Sequence, residues 1–245
     1  MISEIFASIQ GEGPWTGERH IFVRFIGCDI ACRYCDTAEI ATPESARSKF
    51  CQVQSAVDIS RYKQVPNPIS DVDLTAICTR FIIPGPSRPT LSLTGGEPLL
   101  HCSFLAQWLP TVRKNFRIYL ETNGLHAGAM HDIRDMIDVV SMDFKLPSST
   151  GLRSFWEEHK QFLSAAQGKK LFVKSVVTTD TQNADIVTAA RIIAEFDRSV
   201  IFILQPAGGQ HAPATAKLIE FQRAALEILE DVRVIPQTHK VLDLP

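Results

Sequence analysis

Three cysteines within eight residues carry the chemistry most legible in this chain. They stand in Cys28-Asp29-Ile30-Ala31-Cys32-Arg33-Tyr34-Cys35, with Asp36 and Thr37 directly behind. A short loop that supplies three thiolates can hold three corners of a cubane iron–sulfur cluster, leaving the fourth iron open to a small molecule. Zinc needs a fourth protein ligand, and no second Cys or His pair follows at the usual spacing. The spacing therefore favours a [4Fe-4S] cluster. A zinc-binding module without enzymatic activity is the alternative from a different class.

Such a loop must be presented by rigid elements. His20–Ile26 is a mostly apolar run that reads as a strand buried on both faces, and the cysteine loop leaves its C-terminal end. Residues 2–9 alternate and read as a first strand, followed by a tight turn at Gln10–Pro14. Residues 38–70 show neither helical nor strand period and contain Pro43, Pro66 and Pro68, so an irregular insertion is expected there. Ser70 with Asp73 three residues on marks a helix start, and Pro84-Gly85-Pro86 marks its end.

From residue 90 the pattern repeats as strand then helix. Strands are expected at 90–93, 116–120, 139–142, 171–177, 200–204 and 232–235. Helices are expected through about 113, near 129–136, 152–166, 182–196 and 213–230. That alternation requires parallel strands, and about six units suit an α/β fold of the single-domain, partial (βα)6 TIM-barrel type. Polar motifs then fall at successive strand ends: Thr94-Gly95-Gly96-Glu97-Pro98, Glu121-Thr122-Asn123-Gly124, Asp143-Phe144-Lys145 and Gln205-Pro206. In a parallel barrel all these ends share one mouth with the cysteine loop.

Each motif has a physical use. Paired glycines let a ligand's charged end approach the backbone, and Glu97 can accept from an ammonium group. Lys145 and Lys174 can reach carboxylates or ribose hydroxyls. Arg24 interrupts an apolar strand and needs an anionic or carbonyl partner, either a substrate carboxylate or a structural ion pair.

Composition narrows the classes. Twenty-five Lys and Arg against 27 Asp and Glu leave a net charge of -2, without the basic excess of a phosphate-neutralising nucleic-acid binder. No apolar run approaches the roughly 18–20 residues of a membrane span, and Met1–Ile5 has neither a basic region nor a signal-peptide core. A cytoplasmic protein with no membrane partner is expected. Its six cysteines are then not a disulfide framework, and Cys51, Cys78 and Cys102 read as free thiols.

Cys-x-x-x-Cys-x-aromatic-Cys with a following Gly-Gly-Glu-Pro resembles the radical S-adenosylmethionine superfamily. Ile9-Gln10-Gly11-Glu12-Gly13, Cys35-Asp36-Thr37, Glu121-Thr122-Asn123-Gly124 and Gln237-Thr238-His239-Lys240 narrow the resemblance to its 7-carboxy-7-deazaguanine synthase family. The cluster motif specifies only the superfamily; the Gln-Gly-Glu-Gly start and the Gln-Thr-His-Lys end specify the family. Residues 38–70 and 146–168 match poorly. Another radical S-adenosylmethionine enzyme is the alternative within the superfamily.

The resemblance implies that Cys28, Cys32 and Cys35 hold the [4Fe-4S] cluster and that S-adenosylmethionine chelates its fourth iron. Gly96 and Glu97 receive the amino end and Tyr34 lies near the adenine. Asp36, Asp143, Phe144, Lys145, Lys174, Gln205 and Pro206 line the rest. Asp143 and Phe144 transfer only by position, because many members carry Ser-Pro before the lysine. A radical made from the cofactor takes a hydrogen from 6-carboxy-5,6,7,8-tetrahydropterin, whose ring contracts with loss of ammonia. Ile9, Gln10, Gly11, Glu12, Arg24, Thr94, Glu121, Asn123 and the terminal carboxylate of Pro245 contact this pterin. Thr37 helps to hold a Mg²⁺. A homodimer and a flavodoxin- or ferredoxin-type reductant are the expected partners.

Overall fold

The structure is a computed structural model that describes residues 1–42 and 48–244; Pro43–Arg47 and Pro245 lie outside the described residues. Among the described residues ten strands form one sheet in the order β10-β9-β8-β7-β6-β5-β2-β1-β3-β4. They are β1 (Ile2–Ile9), β2 (Arg19–Phe25), β3 (Phe50–Gln54), β4 (Tyr62–Pro66), β5 (Thr90–Gly95), β6 (Arg117–Thr122), β7 (Val139–Asp143), β8 (Lys170–Val177), β9 (Phe202–Pro206) and β10 (Val232–Val234). From β2 through β5 to β10 every neighbouring pair is parallel. The cysteine loop therefore emerges on the same edge as the polar strand ends, as the alternation requires.

The connecting helices include α1 (Asp71–Thr79), α2 (Cys102–Val112), α3 (Ala127–Ile133), α4 (Pro147–Thr150), α5 (Trp156–Ala165), α6 (Asn183–Phe196) and α7 (Thr215–Leu226); α8 (Thr238–Val241) follows β10. Helix α1 starts where the capping signal places it. Asp73 N donates to Ser70 Oγ at 3.1 Å, and Ser70 Oγ donates back to Asp73 Oδ2 at 2.6 Å. The main core lies between sheet and helices, built on side chains such as Leu91, Leu93, Trp108, Leu120 and Ile193. A smaller cluster of Tyr119, Val139, Phe172 and Ile203 lies apart from it, with Trp15 packed on it.

Trp15 shows how far the sheet curls. It belongs to the tip of the β1–β2 hairpin, yet its ring lies 5.6 Å from Phe172 on β8. Glu12, three residues past β1, accepts from Gln205 Nε2 on β9 at 3.1 Å. In a flat sheet six strand spacings of about 4.8 Å would separate β1 from β9, whereas three residues reach about 10 Å. The sheet therefore wraps round the hairpin tip as a partial barrel. Among the described residues β10 and β4 remain its two edges.

Of the expected insertion at 38–70, Pro43–Arg47 lie outside the described residues, and residues 48–70 are more regular than the sequence suggests. β3 pairs antiparallel with β4 and parallel with β1, extending the sheet beyond the parallel strands. Cys51 and Val53 face the core while Phe50 and Gln52 are exposed. The alternation is real, but polar Gln residues and flanking prolines dilute it.

Below the mouth, His20 is fully buried, with Nδ1 2.8 Å from Ser92 Oγ. Burial drives its pKa from 6.5 down to about 4, despite the nearby Glu18. A histidine depressed in the folded state destabilises the fold as pH falls from 6.5 toward 4, because only the unfolded chain takes up the proton. Urea unfolding at pH 7 and pH 5 should show His20→Gln losing about 1–2 kcal/mol less than the parent over that interval. An identical acid response in both proteins would refute the assignment.

Candidate active site

The strand ends, the cysteine loop, the hairpin tip and the C-terminal segment enclose a cavity of ≈ 800 Å³. Cys28, Cys32, Tyr34, Cys35, Asp36 and Thr37 are among the residues lining it. Ile9, Gln10, Gly11, Glu12, Arg24, Thr94, Gly96, Glu121 and Asn123 line it as well, as do Asp143, Lys145, Lys174 and Gln205. The structure thus brings most of the expected positions to one cavity. Glu97, Phe144 and Pro206 are not among the lining residues, and Pro245 lies outside the described residues.

The Gly-Gly-Glu-Pro motif explains how the cysteine loop is seated. Gly95 has φ +122°, and a Cβ there would stand 2.2 Å from Phe25 O; one on Gly96 would stand 2.0 Å from Gly27 O. Only glycine lets β5 dock this closely on the residues that feed the loop. Gly96 N donates to Phe25 O at 3.1 Å and Glu97 N to Gly27 O at 2.8 Å. The Glu97 carboxylate is fully buried and turned inward. It accepts from Leu99 N and Thr122 Oγ1, both at 2.9 Å, and from Asn123 N at 2.7 Å. Burial pushes its pKa up against those donors. Glu97 is a bracket between β5 and β6, whereas Gly96 is the motif residue at the cavity wall.

Four charges form a chain across the cavity floor. Lys174 Nζ lies 2.8 Å from Asp143 Oδ2 and 3.1 Å from Glu12 Oε2. Lys145 Nζ lies 3.0 Å from the same Asp143 oxygen and 5.6 Å from the centre of the Tyr34 ring. Burial opposes every one of these charges. The two lysines nonetheless hold Asp143 down to about 2, and Asp143 first among the carboxylates raises both lysines. Lys174 and Gln237 likewise keep Glu12 below its ordinary value.

Glu121 behaves oppositely. Burial, then the neighbouring Glu12, pushes its pKa up. Gln10 Nε2 donates to its Oε1 at 2.9 Å and Thr94 Oγ1 to its Oε2 at 2.7 Å. Arg24 uses Nε on Glu4 at 3.2 Å and stands over the Phe6 ring, so its structural partner is on the neighbouring strand while it also faces the cavity. Phe144 points into the core, 4.0 Å from the His159 ring.

Residues absent from the expected set complete the enclosure. Gln237 Nε2 donates to Glu12 Oε1 at 2.8 Å and to Asp36 Oδ2 at 3.1 Å, and Lys240 Nζ reaches the same Asp36 oxygen at 2.8 Å. His239 packs so closely that a Cβ on Gly11 would lie 2.2 Å from its Nδ1. Leu244 also lines the cavity. The Gln-Thr-His-Lys segment was the available signal, but nothing local says that it crosses back to the hairpin.

The donor set fits the cofactors that the sequence suggests. The three loop cysteines are free thiols, and burial drives Cys28 up to about 11 and Cys32 upward. Such thiols become thiolates on binding metal, which deprotonates them outright. Among the described residues no three His, Cys, Asp or Glu side chains converge on a single metal ion. At the cavity wall, Tyr34 Oη, Asp143 Oδ1 and Gln205 Oε1 are buried without a hydrogen-bond partner in the protein. Orphaned polar atoms of this kind suit a polar organic ligand.

The description "4Fe-4S single cluster domain" matches residues 9–146. The chain is 36% identical over 245 residues to the 7-carboxy-7-deazaguanine synthase of Geobacter sulfurreducens, covering 98% of this chain and 96% of that one. It is 30% identical over 246 residues to the protein of the same name from Methanopyrus kandleri, with 99% and 93% covered. Its fold is similar to the crystal structure of QueE from Escherichia coli, at TM-score 0.59 and 22% identity over 96% of this chain and 92% of that one. With a cluster loop, paired glycines and a charged cavity floor at one barrel mouth, and with relatives alike from end to end, the chain belongs to the 7-carboxy-7-deazaguanine synthase family of radical S-adenosylmethionine enzymes.

Proposed function

We propose that this chain converts 6-carboxy-5,6,7,8-tetrahydropterin into 7-carboxy-7-deazaguanine with loss of ammonia, assisted by Mg²⁺. The observation that carries the proposal is that one cavity is lined both by three thiols, Tyr34 and Lys145 and by a polar set of Gln10, Glu121, Thr94 and Arg24, in which Gln10 and Thr94 donate to Glu121. When bound, the cluster and S-adenosylmethionine supply one-electron radical chemistry; the protein aims it and excludes water.

The residues divide that labour. Cys28, Cys32 and Cys35 hold the cluster. Gly96 offers a bare backbone to the cofactor's amino-acid end, and Lys145, Asp143 and Gln205 offer charge and hydrogen bonds to the remainder. Gln10 and Thr94 fix Glu121 so that its carboxyl meets the flat pterin edge. Arg24 attracts the substrate carboxylate with the part of its guanidinium not used by Glu4. Thr37, two residues past Cys35 and 3.8 Å from its sulfur, is the proposed protein ligand of Mg²⁺. One hydroxyl with substrate oxygens and waters matches the way Mg²⁺ binds. A second copy of the chain and a flavodoxin- or ferredoxin-type reductant are the proposed partners, in the cytoplasm. Among the described residues no helix is long and apolar enough to cross a membrane.

Reduced, cluster-loaded enzyme given S-adenosylmethionine, Mg²⁺ and 6-carboxytetrahydropterin should release 7-carboxy-7-deazaguanine, detected by mass spectrometry. Cofactor cleavage without any deazapurine would overturn the substrate assignment. Thr37→Ala should weaken the Mg²⁺ response on the order of tenfold while iron content stays at the parent level. An unchanged Mg²⁺ dependence would remove Thr37 from the metal.

A further inference from the structure

The two halves of the cysteine loop are held in different ways. In the second half, Arg33 N donates to Thr150 O at 3.1 Å, which ties the loop to the end of α4. In the first half, Asp29, Ile30 and Ala31 border a hollow of ≈ 450 Å³, together with Leu125, His126 and Phe155. Apolar packing is therefore thin on that side, and polar contacts must supply what burial does not. Among the described residues, the side-chain tie from this half to another element is the Asp29 carboxylate. Asn123 Nδ2 donates to its Oδ1 at 3.1 Å, and His126 Nε2 lies 3.2 Å from its Oδ2.

Asn123 is itself immobilised. Its backbone N–H is held by Glu97 Oε2, and its Oδ1 accepts from Leu125 N at 3.0 Å. The amide thus has its oxygen turned to its own loop and its nitrogen turned to Asp29. Glu121, two residues earlier, is the carboxyl that Gln10 and Thr94 hold at the cavity lining. One short segment, 121–126, therefore contacts both that polar set and the cysteine loop.

We propose that Asp29 is a positioning residue that sets the first half of the cluster loop against the end of β6, and that Asn123 acts chiefly by holding Asp29. The residues between Cys28 and Cys32 then take their place from the segment that carries Glu121, while Gly27, just before Cys28, is seated by Glu97 N at the end of β5. Loosening Asp29 would let the first half of the loop that would hold the cluster shift relative to the rest of the cavity lining, while Gln10 and Thr94 still hold Glu121. The inference rests on the cluster and S-adenosylmethionine part of the proposed function, and is independent of which substrate the enzyme takes.

The test uses anaerobically reconstituted holoenzyme with Asp29→Ala and Asp29→Asn. Affinity for S-adenosylmethionine is read from its perturbation of the reduced-cluster electron paramagnetic resonance spectrum, normalised to iron. Asp29→Ala should weaken that affinity about tenfold, and Asp29→Asn, which still accepts from Asn123, should recover most of it. The KM for the pterin should stay within about twofold in both. Hydrogen exchange should rise together in residues 28–32 and 123–126 of Asp29→Ala. Unchanged affinity per loaded cluster in Asp29→Ala, or faster exchange confined to 28–32, would overturn the proposal. Should Asp29→Ala fail to load a cluster, the Asn123→Asp variant, which sets two carboxylates against each other, must show the same coupled exchange or the proposal fails. An enzyme that binds S-adenosylmethionine but does not transform the pterin would contradict the substrate reading and leave this one standing.

Discussion

The alternating chain Glu12–Lys174–Asp143–Lys145 is the interaction on which the rest of the site depends. Taking four charges out of water costs several kcal/mol each unless every one has a close partner. Here every one does, within 3.1 Å. The geometry that satisfies them is also the geometry of the fold. Glu12 stands on the β1–β2 hairpin tip and Lys174 on β8, so their contact requires a sheet curled round that tip. Asp143, at the end of β7, then turns Lys145 toward Tyr34 and the cysteine loop. A loss anywhere in the chain leaves a buried charge uncompensated.

The second constraint is close approach. Gly95 and Gly96 let the end of β5 lie on the backbone that feeds the cluster loop, and Glu97 locks β6 to the same point. A motif that suggests a cofactor ligand is mostly joinery. Its glycines meet the cavity, and its carboxylate faces away and holds Thr122 and Asn123. The two constraints meet at Lys145 and Asn123, one beside the cysteines and the other behind them.

Much of this was legible in the sequence because the signals are local. Apolar strand runs, the Ser70 cap and the cysteine spacing each depend on a few adjacent residues. The β3–β4 hairpin was not legible, since its alternation is carried by glutamines among prolines. Nor was the inward turn of Glu97 or Phe144, because strand register sets which way a side chain at a strand end points. The Asp29–Asn123 contact joins residues 94 apart, and the Gln237–Glu12 contact residues 225 apart. The first depends on strand order, β2 and β6 flanking β5, and the second on the curl of the sheet; no local pattern encodes either. Arg24 kept both meanings, a structural partner in Glu4 and a place at the cavity wall.

Lys174 joins the hairpin tip that carries Gln10 to Asp143 and, through it, to Lys145. The measurement is the pair of affinities, for S-adenosylmethionine and for the pterin, in cluster-loaded Lys174→Met. A single charge chain supporting both ligands' contacts predicts that both weaken together, by about tenfold or more, or ~1.4 kcal/mol each. Loss of one affinity with the other at the parent value would contradict it.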